Sequence, residues 1–218
     1  MSHYERTAVA ADNLTVNDLL GVAPVTTKVE DGVVSIGGVP LADIIEKYGT
    51  ALYVYDEATL RKQLSDYVRE FKSRYENSDV IYATKSFCCV AMTKIVAEEG
   101  AHIDVGSGGE LAFAKAAGFP MDRVSVQGNN KTPEEIREAI EAGVGCFVVD
   151  THEELERINL VAREKDIKQK VILRICPGVE ADTLDYIMTA NEDSKFGFNI
   201  KNGAAKAATE YALAHTHL

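Results

Sequence analysis

The chain has 218 residues, 46% of them hydrophobic, a composition typical of a globular protein with one substantial core. Its 34 acidic residues outnumber its 23 basic ones, the formal net charge is −11, and no basic cluster interrupts the acidic surplus, so we expect neither nucleic acid nor a membrane surface as a partner. Because the N-terminus lacks the apolar core of a signal peptide and no apolar run approaches the ~20 residues that span a bilayer, we expect a cytoplasmic location.

The first 36 residues differ in character from the rest of the chain. A turn at Asp31-Gly32 precedes a short predicted strand, Val33–Ile36, and Gly37-Gly38 ends that strand. We interpret residues 1–36 as an N-terminal arm and residues 37–218 as one α/β domain.

From Leu52 onward one unit repeats, namely a short apolar strand, a turn, and a helix with apolar residues spaced three and four apart. The predicted strands are Leu52–Tyr55, Val80–Thr84, His102–Gly106, Arg123–Gln127, Cys146–Asp150 and Val171–Ile175. A final helix is predicted over Gly203–Ala214. Strands that alternate with helices predict a parallel sheet with right-handed crossovers.

Six strand–helix units are visible, whereas a closed barrel of this kind has eight strands. We therefore expect a TIM-like (β/α)8 barrel that is incomplete within this chain. The alternative is an open, Rossmann-like sheet, but no G-x-G-x-x-G follows the first strand to support it.

Local residues mark where several helices begin. Asp56-Glu57 follows the first strand, and Ser107-Gly108 follows the third. After the fourth, Thr132 is the predicted N-cap, Pro133 takes the first helical position, and acidic residues complement the helix dipole.

The cysteines are not arranged as a metal site. They lack CxxC spacing and paired histidines, and they lie within predicted helix or strand segments, which favours buried free thiols and predicts no bound metal. The four are Cys88, Cys89, Cys146 and Cys176.

Polar residues close the predicted strands, and in a parallel barrel these strand ends surround the active site. They are Lys85, Asp104, Ser107–Glu110, Gly128–Lys131, Asp150 and Arg174. Together they suit a lysine that forms an imine with a carbonyl compound. Each has an ordinary explanation by itself: a lysine at a strand end is usually solvated, Glu110 suits the first turn of a helix, and Arg174 can pair with an acid across the barrel.

The run Tyr82–Phe87, YATKSF, resembles the cofactor-attachment motif of the fold-type III pyridoxal-phosphate decarboxylases. Further blocks are similar, in order, to those of the diaminopimelate decarboxylases within that family. These blocks are HIDVGSGGELAFAKAAGFP, VSVQGNNKTPEEI, FVVDTHEEL, VILRICPGVEA and DSKFGFNI. The SGGEL, GNNK and SKFG segments make the resemblance specific.

The resemblance implies a modified TIM barrel fused to a β-domain, to which the Val33–Ile36 strand would belong. It implies pyridoxal 5′-phosphate attached to Lys85, with Asp104, Glu110 and Arg174 close to the cofactor. The implied reaction is decarboxylation of meso-2,6-diaminopimelate to L-lysine and CO2, a step of lysine biosynthesis. It also implies a homodimer, since sites in this family are shared between subunits.

The sequence also departs from the family. The histidine that stacks on the cofactor, the phosphate-binding glycine loop and the acid facing the pyridine nitrogen are all expected beyond Leu218. We therefore expect the chain to be the N-terminal part of such an enzyme, truncated and inactive by itself. Leu184 stands where the family usually has histidine.

Three other functions fit parts of the pattern. A non-catalytic protein of pyridoxal phosphate homeostasis would share the cofactor, but it would lack the N-terminal arm. Another fold-type III decarboxylase, acting on ornithine, arginine or carboxynorspermidine, would share most of the motifs. A Schiff-base aldolase barrel would share the lysine but not the GNNK and SKFG segments.

Overall fold

The computed structural model of the protein describes residues 20–178 and 196–218. Leu184 and part of the predicted VILRICPGVEA and DSKFGFNI blocks lie outside the described residues. The chain divides into two compact units, residues 1–66 and residues 67–218.

The first unit contains a three-stranded antiparallel sheet and a helix. Its strands are β1 (Lys28–Glu30), β2 (Val33–Ile36) and β3 (Val39–Pro40), followed by helix α1 (Leu41–Tyr48). Asp31 and Gly32 both have positive φ, 49° and 77°, which is the two-residue turn that suits the twist of a hairpin. The predicted strand is confirmed, but Gly37-Gly38 turns the chain into β3 instead of ending the sheet.

The prediction of a strand at Leu52–Tyr55 is wrong. The described structure assigns this segment to no strand, and all four of its side chains are exposed. An apolar run becomes a strand only when a neighbouring strand completes its backbone hydrogen bonds. Helix α2 (Glu57–Arg74) follows, with Asp56 accepting the backbone N–H of Thr59 at 2.9 Å, as the predicted helix start requires.

The second unit is built on a five-stranded parallel sheet in which strand order follows chain order. The strands are β4 (Ile81–Ala83), β5 (His102–Val105), β6 (Val124–Val126), β7 (Cys146–Val149) and β8 (Val171–Leu173). Beyond Arg174, β9 (Ile175–Cys176) pairs in parallel with β10 (Phe198–Asn199). The predicted parallel sheet is confirmed.

Helices follow the strands in the order that the sequence predicts. They are α3 (Val90–Glu98), α4 (Gly108–Ala117), α5 (Pro133–Ala142), α6 (His152–Glu164) and α7 (Ala204–Ala214). Ser107 caps α4 by accepting the N–H of Glu110, and Thr132 caps α5 in a reciprocal capping box with Glu135. Because these signals lie within one helical turn, the sequence locates both helix starts correctly.

The core lies on one face of the sheet. Ile103, Val105, Phe147 and Val149 alternate along their strands and are fully buried. Ile172, whose position in the strand register puts it on the opposite face, is exposed. The sheet therefore has one apolar, packed face, whereas the other is buried at Ser125 and Cys146 and open at Ile172.

The apolar sequence of β4 predicts a strand buried on both faces, but Ile81 is exposed, and β4 is an edge strand of the sheet. The sequence also predicts that Lys85 passes directly into a helix, and this is wrong. A short 3-10 turn, Thr84–Ser86, hereafter the Lys85 turn, comes first, and α3 begins only at Val90.

The cysteines match the prediction in part. All four are free thiols, and Cys146 and Cys176 are buried in strands. Cys88 and Cys89 are only half-buried, in the loop before α3, where the Cys89 Sγ accepts the N–H of Met92 as the helix N-cap. Burial raises the pKa of the Cys88 thiol, and the negative charge of Glu110 adds to the effect.

Candidate active site

Lys85 is presented by a turn whose backbone is held on both sides. The Ser86 hydroxyl donates to the carbonyl of Ala83 at 2.8 Å, and the Tyr82 hydroxyl donates to the carbonyl of Phe87 at 2.9 Å. The lysine side chain itself is exposed. The turn therefore fixes the main chain while leaving the amine accessible.

Thr84 fastens the same turn to the neighbouring strand and helix. Its side chain is buried, and its Oγ1 lies 2.6 Å from the carbonyl oxygen of Asp104 and 2.7 Å from Oε2 of Glu110. That Oε2 also accepts the backbone N–H of Gly106 at 2.6 Å. The sequence analysis included Thr84 in the YATKSF run but gave it no role, because its partners lie 20 and 26 residues away along the chain.

Asp104 lies close enough to Lys85 and to Glu110 for both charges to act on its carboxyl. Burial raises the pKa of the Asp104 carboxyl, and the negative charge of Glu110 raises it further. The backbone N–H of Thr84 and the positive charge of Lys85 act in the opposite direction. Three of the four predicted site residues therefore share the ends of β4 and β5.

Glu135 joins the N-termini of two helices near this edge. Its Oε1 accepts the N–H of Gly108 in α4 at 2.9 Å, and its Oε2 accepts the N–H of Thr132 at the start of α5 at 3.0 Å. These bonds lower the pKa of the Glu135 carboxyl, and the bond from Thr132 has the larger effect. The contact fixes the SGGEL turn relative to the next helix.

Lys131, the lysine of the GNNK segment, is buried and bonded to other parts of the fold. Lys131 Nζ donates to the carbonyls of Gly128 and Val148, at 2.6 Å each, and contacts Oε1 of Glu154 at 2.5 Å. The two charged side chains are 3% and 6% exposed. Two hydrogen bonds and the ion pair with Glu154 thus make Lys131 join the loop after β6 to β7 and α6. The sequence analysis did not single out Glu154.

Arg174 follows β8, at the opposite edge of the sheet from β4. Its Nη1 lies 3.5 Å from Oδ1 of Asp150, and its guanidinium carbon lies 4.4 Å from the ring centroid of Phe196. The same Oδ1 accepts the N–H of Gly197 at 2.9 Å. A Cβ on Gly197 would lie 2.6 Å from the Arg174 carbonyl oxygen, so only glycine fits there.

The structure thus groups the predicted site residues in two places. Lys85, Asp104 and Glu110 surround the ends of β4 and β5, whereas Arg174 lies at the end of β8, with three strands between β4 and β8. Both places are on the edge formed by the carboxyl ends of parallel strands. The described contacts pair Arg174 with Asp150, which agrees with the ordinary explanation for this arginine.

Residues 20–178 and 196–218 contain neither a membrane-spanning helix nor a cluster of metal ligands. None of the helices there is long and apolar enough to cross a membrane. Nor do histidine, cysteine and carboxylate side chains in these ranges form a cluster that could hold a metal ion.

Comparison with known proteins identifies the family. Residues 58–218 match the family model described as pyridoxal-dependent decarboxylase, pyridoxal binding domain. The diaminopimelate decarboxylase of Bacillus methanolicus is 46% identical over 189 residues, which are 86% of this chain and 44% of that protein. The diaminopimelate decarboxylase of Mycobacterium bovis is 43% identical over 207 residues, 93% of this chain and 46% of the relative.

A solved structure gives the same result. The crystal structure of the M. jannaschii diaminopimelate decarboxylase in complex with L-lysine has a TM-score of 0.77 and 33% identity, covering 88% of this chain and 45% of that one. The chain therefore spans about half the length of these relatives. Together with the parallel sheet, this likeness confirms the predicted TIM-like α/β fold, present here in part. The chain belongs to the pyridoxal-dependent decarboxylase family, whose pyridoxal-binding domain residues 58–218 match.

Proposed function

We propose that this protein attaches pyridoxal 5′-phosphate at Lys85 and decarboxylates meso-2,6-diaminopimelate to L-lysine and CO2. The observation that carries the proposal is the exposed amine of Lys85, held on a fixed turn beside Asp104 and Glu110. When bound, pyridoxal phosphate accepts into its ring the electron pair left by the departing carboxylate. The protein supplies the attachment point, the orientation and the surrounding charges.

The residues around Lys85 fit a cofactor that carries an aldehyde. Lys85 Nζ has no ion-pair partner within 4 Å among the described residues, so it is accessible to a carbonyl group. Asp104 lies near enough to this lysine for the positive charge of Lys85 to lower the pKa of its carboxyl, against the effect of burial. A second feature points to a missing polar partner: Oδ2 of Asp150 is buried and has no hydrogen-bond partner among the described residues.

Each predicted site residue has a proposed part. Lys85 holds the cofactor and accepts or returns a proton at Nζ. Asp104 and Glu110 set the electrostatic environment of that amine, and Arg174 orients an anionic group of cofactor or substrate from the far side of the strand ends.

The choice of substrate and the setting of the protein rest on resemblance. Relatives named as diaminopimelate decarboxylases and a relative in complex with L-lysine favour diaminopimelate over ornithine or arginine. We further propose a cytoplasmic homodimer, and an N-terminal arm, residues 1–36, whose strand pairs with a β-domain.

The test is an assay of the protein expressed from its complete gene. With pyridoxal 5′-phosphate present, we expect equal amounts of lysine and CO2 from meso-diaminopimelate, and a Lys85→Met variant should form neither above background. L-Ornithine, L-arginine and carboxynorspermidine are the comparison substrates. Faster decarboxylation of any of these would overturn the proposed specificity, and activity retained in Lys85→Met would overturn the proposed role of the lysine.

A further inference from the structure

The hydroxyl of Thr84 occupies an unusual position for a side chain next to an exposed lysine. Thr84 is 2% exposed, although both residues that follow it in the turn are exposed. Its Oγ1 lies within 2.7 Å of two oxygen atoms, the Asp104 carbonyl at the end of β5 and Oε2 of Glu110 in α4. The hydroxyl has one proton, which these two acceptors share, so Thr84 links the Lys85 turn to both the end of β5 and α4.

Glu110 depends on this hydroxyl for its orientation. Its Oε2 receives the Gly106 N–H at 2.6 Å and faces the Thr84 hydroxyl at 2.7 Å. Both contacts hold Oε2 at the end of β5, beside the Lys85 turn. The negative charge of Glu110 also raises the pKa of the neighbouring Asp104 carboxyl.

We propose that Thr84 is a positioning residue for Lys85. Its hydroxyl clamps the Lys85 turn to the end of β5 and to Glu110, so that an aldehyde approaching the site meets an amine on a fixed backbone. This inference rests on the proposed function, which it deepens by naming what holds the attachment lysine in place. A displacement of about 1 Å is enough to slow a reaction between positioned groups substantially.

The test compares three substitutions in the full chain. Thr84→Val keeps the branched shape and removes the hydroxyl, whereas Thr84→Ser keeps the hydroxyl. Thr93→Val is the matched control, because Thr93 is equally buried but its hydroxyl bonds the Cys89 carbonyl within the first turn of α3, at 2.9 Å.

Two quantities are measured. The first, in protein without pyridoxal 5′-phosphate, is hydrogen exchange in the peptide that spans the Lys85 turn, compared with the α4 peptide. The second is the rate at which pyridoxal 5′-phosphate becomes attached to Lys85, from timed borohydride reduction and peptide mapping. For Thr84→Val we expect exchange in the turn to be about tenfold faster and attachment about tenfold slower, the size of effect of one hydrogen bond to a charged group.

Each outcome decides a different question. Thr84→Ser should stay within about threefold of wild type in both measurements, and Thr93→Val should not change attachment. If Thr84→Val attaches the cofactor as fast as wild type, or if Thr84→Ser is as impaired as Thr84→Val, the positioning role is overturned. If wild-type Lys85 is never labelled, the proposed function fails, while unchanged exchange in Thr84→Val would separately overturn the clamp.

Discussion

Glu135 accepts hydrogen bonds from backbone N–H groups at the starts of two helices. The stability that its carboxylate provides therefore depends on pH. Its pKa is lowered from the ordinary value of 4.5. A carboxyl with a depressed folded-state pKa adds stability that is fully present above its unfolded value and is lost as the pH falls through the folded value. Stability from Glu135 therefore disappears on acidification.

We predict that Glu135→Gln lowers the free energy of unfolding by about 1–2 kcal/mol at neutral pH, because the charge-assisted bonds to Thr132 and Gly108 are weakened. The deficit should vanish below the folded pKa of Glu135. Urea unfolding of the variant and the wild type, at neutral pH and at a pH below the folded pKa of Glu135, measures this deficit. Glu134→Gln, at the exposed neighbouring position, is the control and should change little. A deficit of the same size at both pH values would contradict this explanation.

At the scale of elements, the Lys131–Glu154 pair connects the loop after β6 with β7 and α6. Both charges are buried, so removing one partner leaves the other uncompensated in a poorly solvated site. Arg137 and Glu164 form a pair of similar span between α5 and α6, at 3.0 Å, but both side chains are exposed to water. The two pairs therefore allow a direct comparison of buried and exposed ion pairs between neighbouring helical units.

We predict that Lys131→Met destabilises the protein by about 3–5 kcal/mol, whereas Arg137→Met costs less than about 1 kcal/mol. Adding Glu154→Gln to Lys131→Met should recover part of the loss, because the amide carries no charge and can still accept the N–H of Asp150, which now bonds Glu154 at 3.0 Å. Chemical denaturation of the four proteins, wild type included, measures these differences. If Lys131→Met were as stable as Arg137→Met, the buried pair would not stabilise the fold.

The elements also indicate which features a sequence can predict. Helix starts at Ser107 and Thr132 are set by residues within one turn, so their caps were predictable. The lack of a strand at Leu52–Tyr55 was not predictable, because a strand needs a partner strand that local composition does not specify. The pairing of Lys131 with Glu154, 23 positions further along the chain, likewise depends on the folded arrangement of two strand–helix units.

For the whole molecule, the strand–helix repeat was sufficient to predict a parallel sheet whose carboxyl ends share one edge. That edge brings together Lys85, Asp104 and Glu110, as expected. The repeat did not indicate that Arg174 pairs with Asp150 and Phe196, since these contacts join β7, the end of β8 and the segment before β10. Resemblance is the basis for proposing Lys85 as the attachment lysine, and the structure shows that its side chain is exposed.

The chain spans about half the length of its relatives, and one face of its sheet is partly open. The central question is therefore whether pyridoxal 5′-phosphate reaches the amine of Lys85 at the strand ends. Incubation with the cofactor, borohydride reduction and peptide mapping answer it, with Lys85→Arg as the control that keeps the charge. We predict that the reduced label lies on Lys85 and that Lys85→Arg abolishes it. A label spread over surface lysines, or one that persists in Lys85→Arg, would contradict the account.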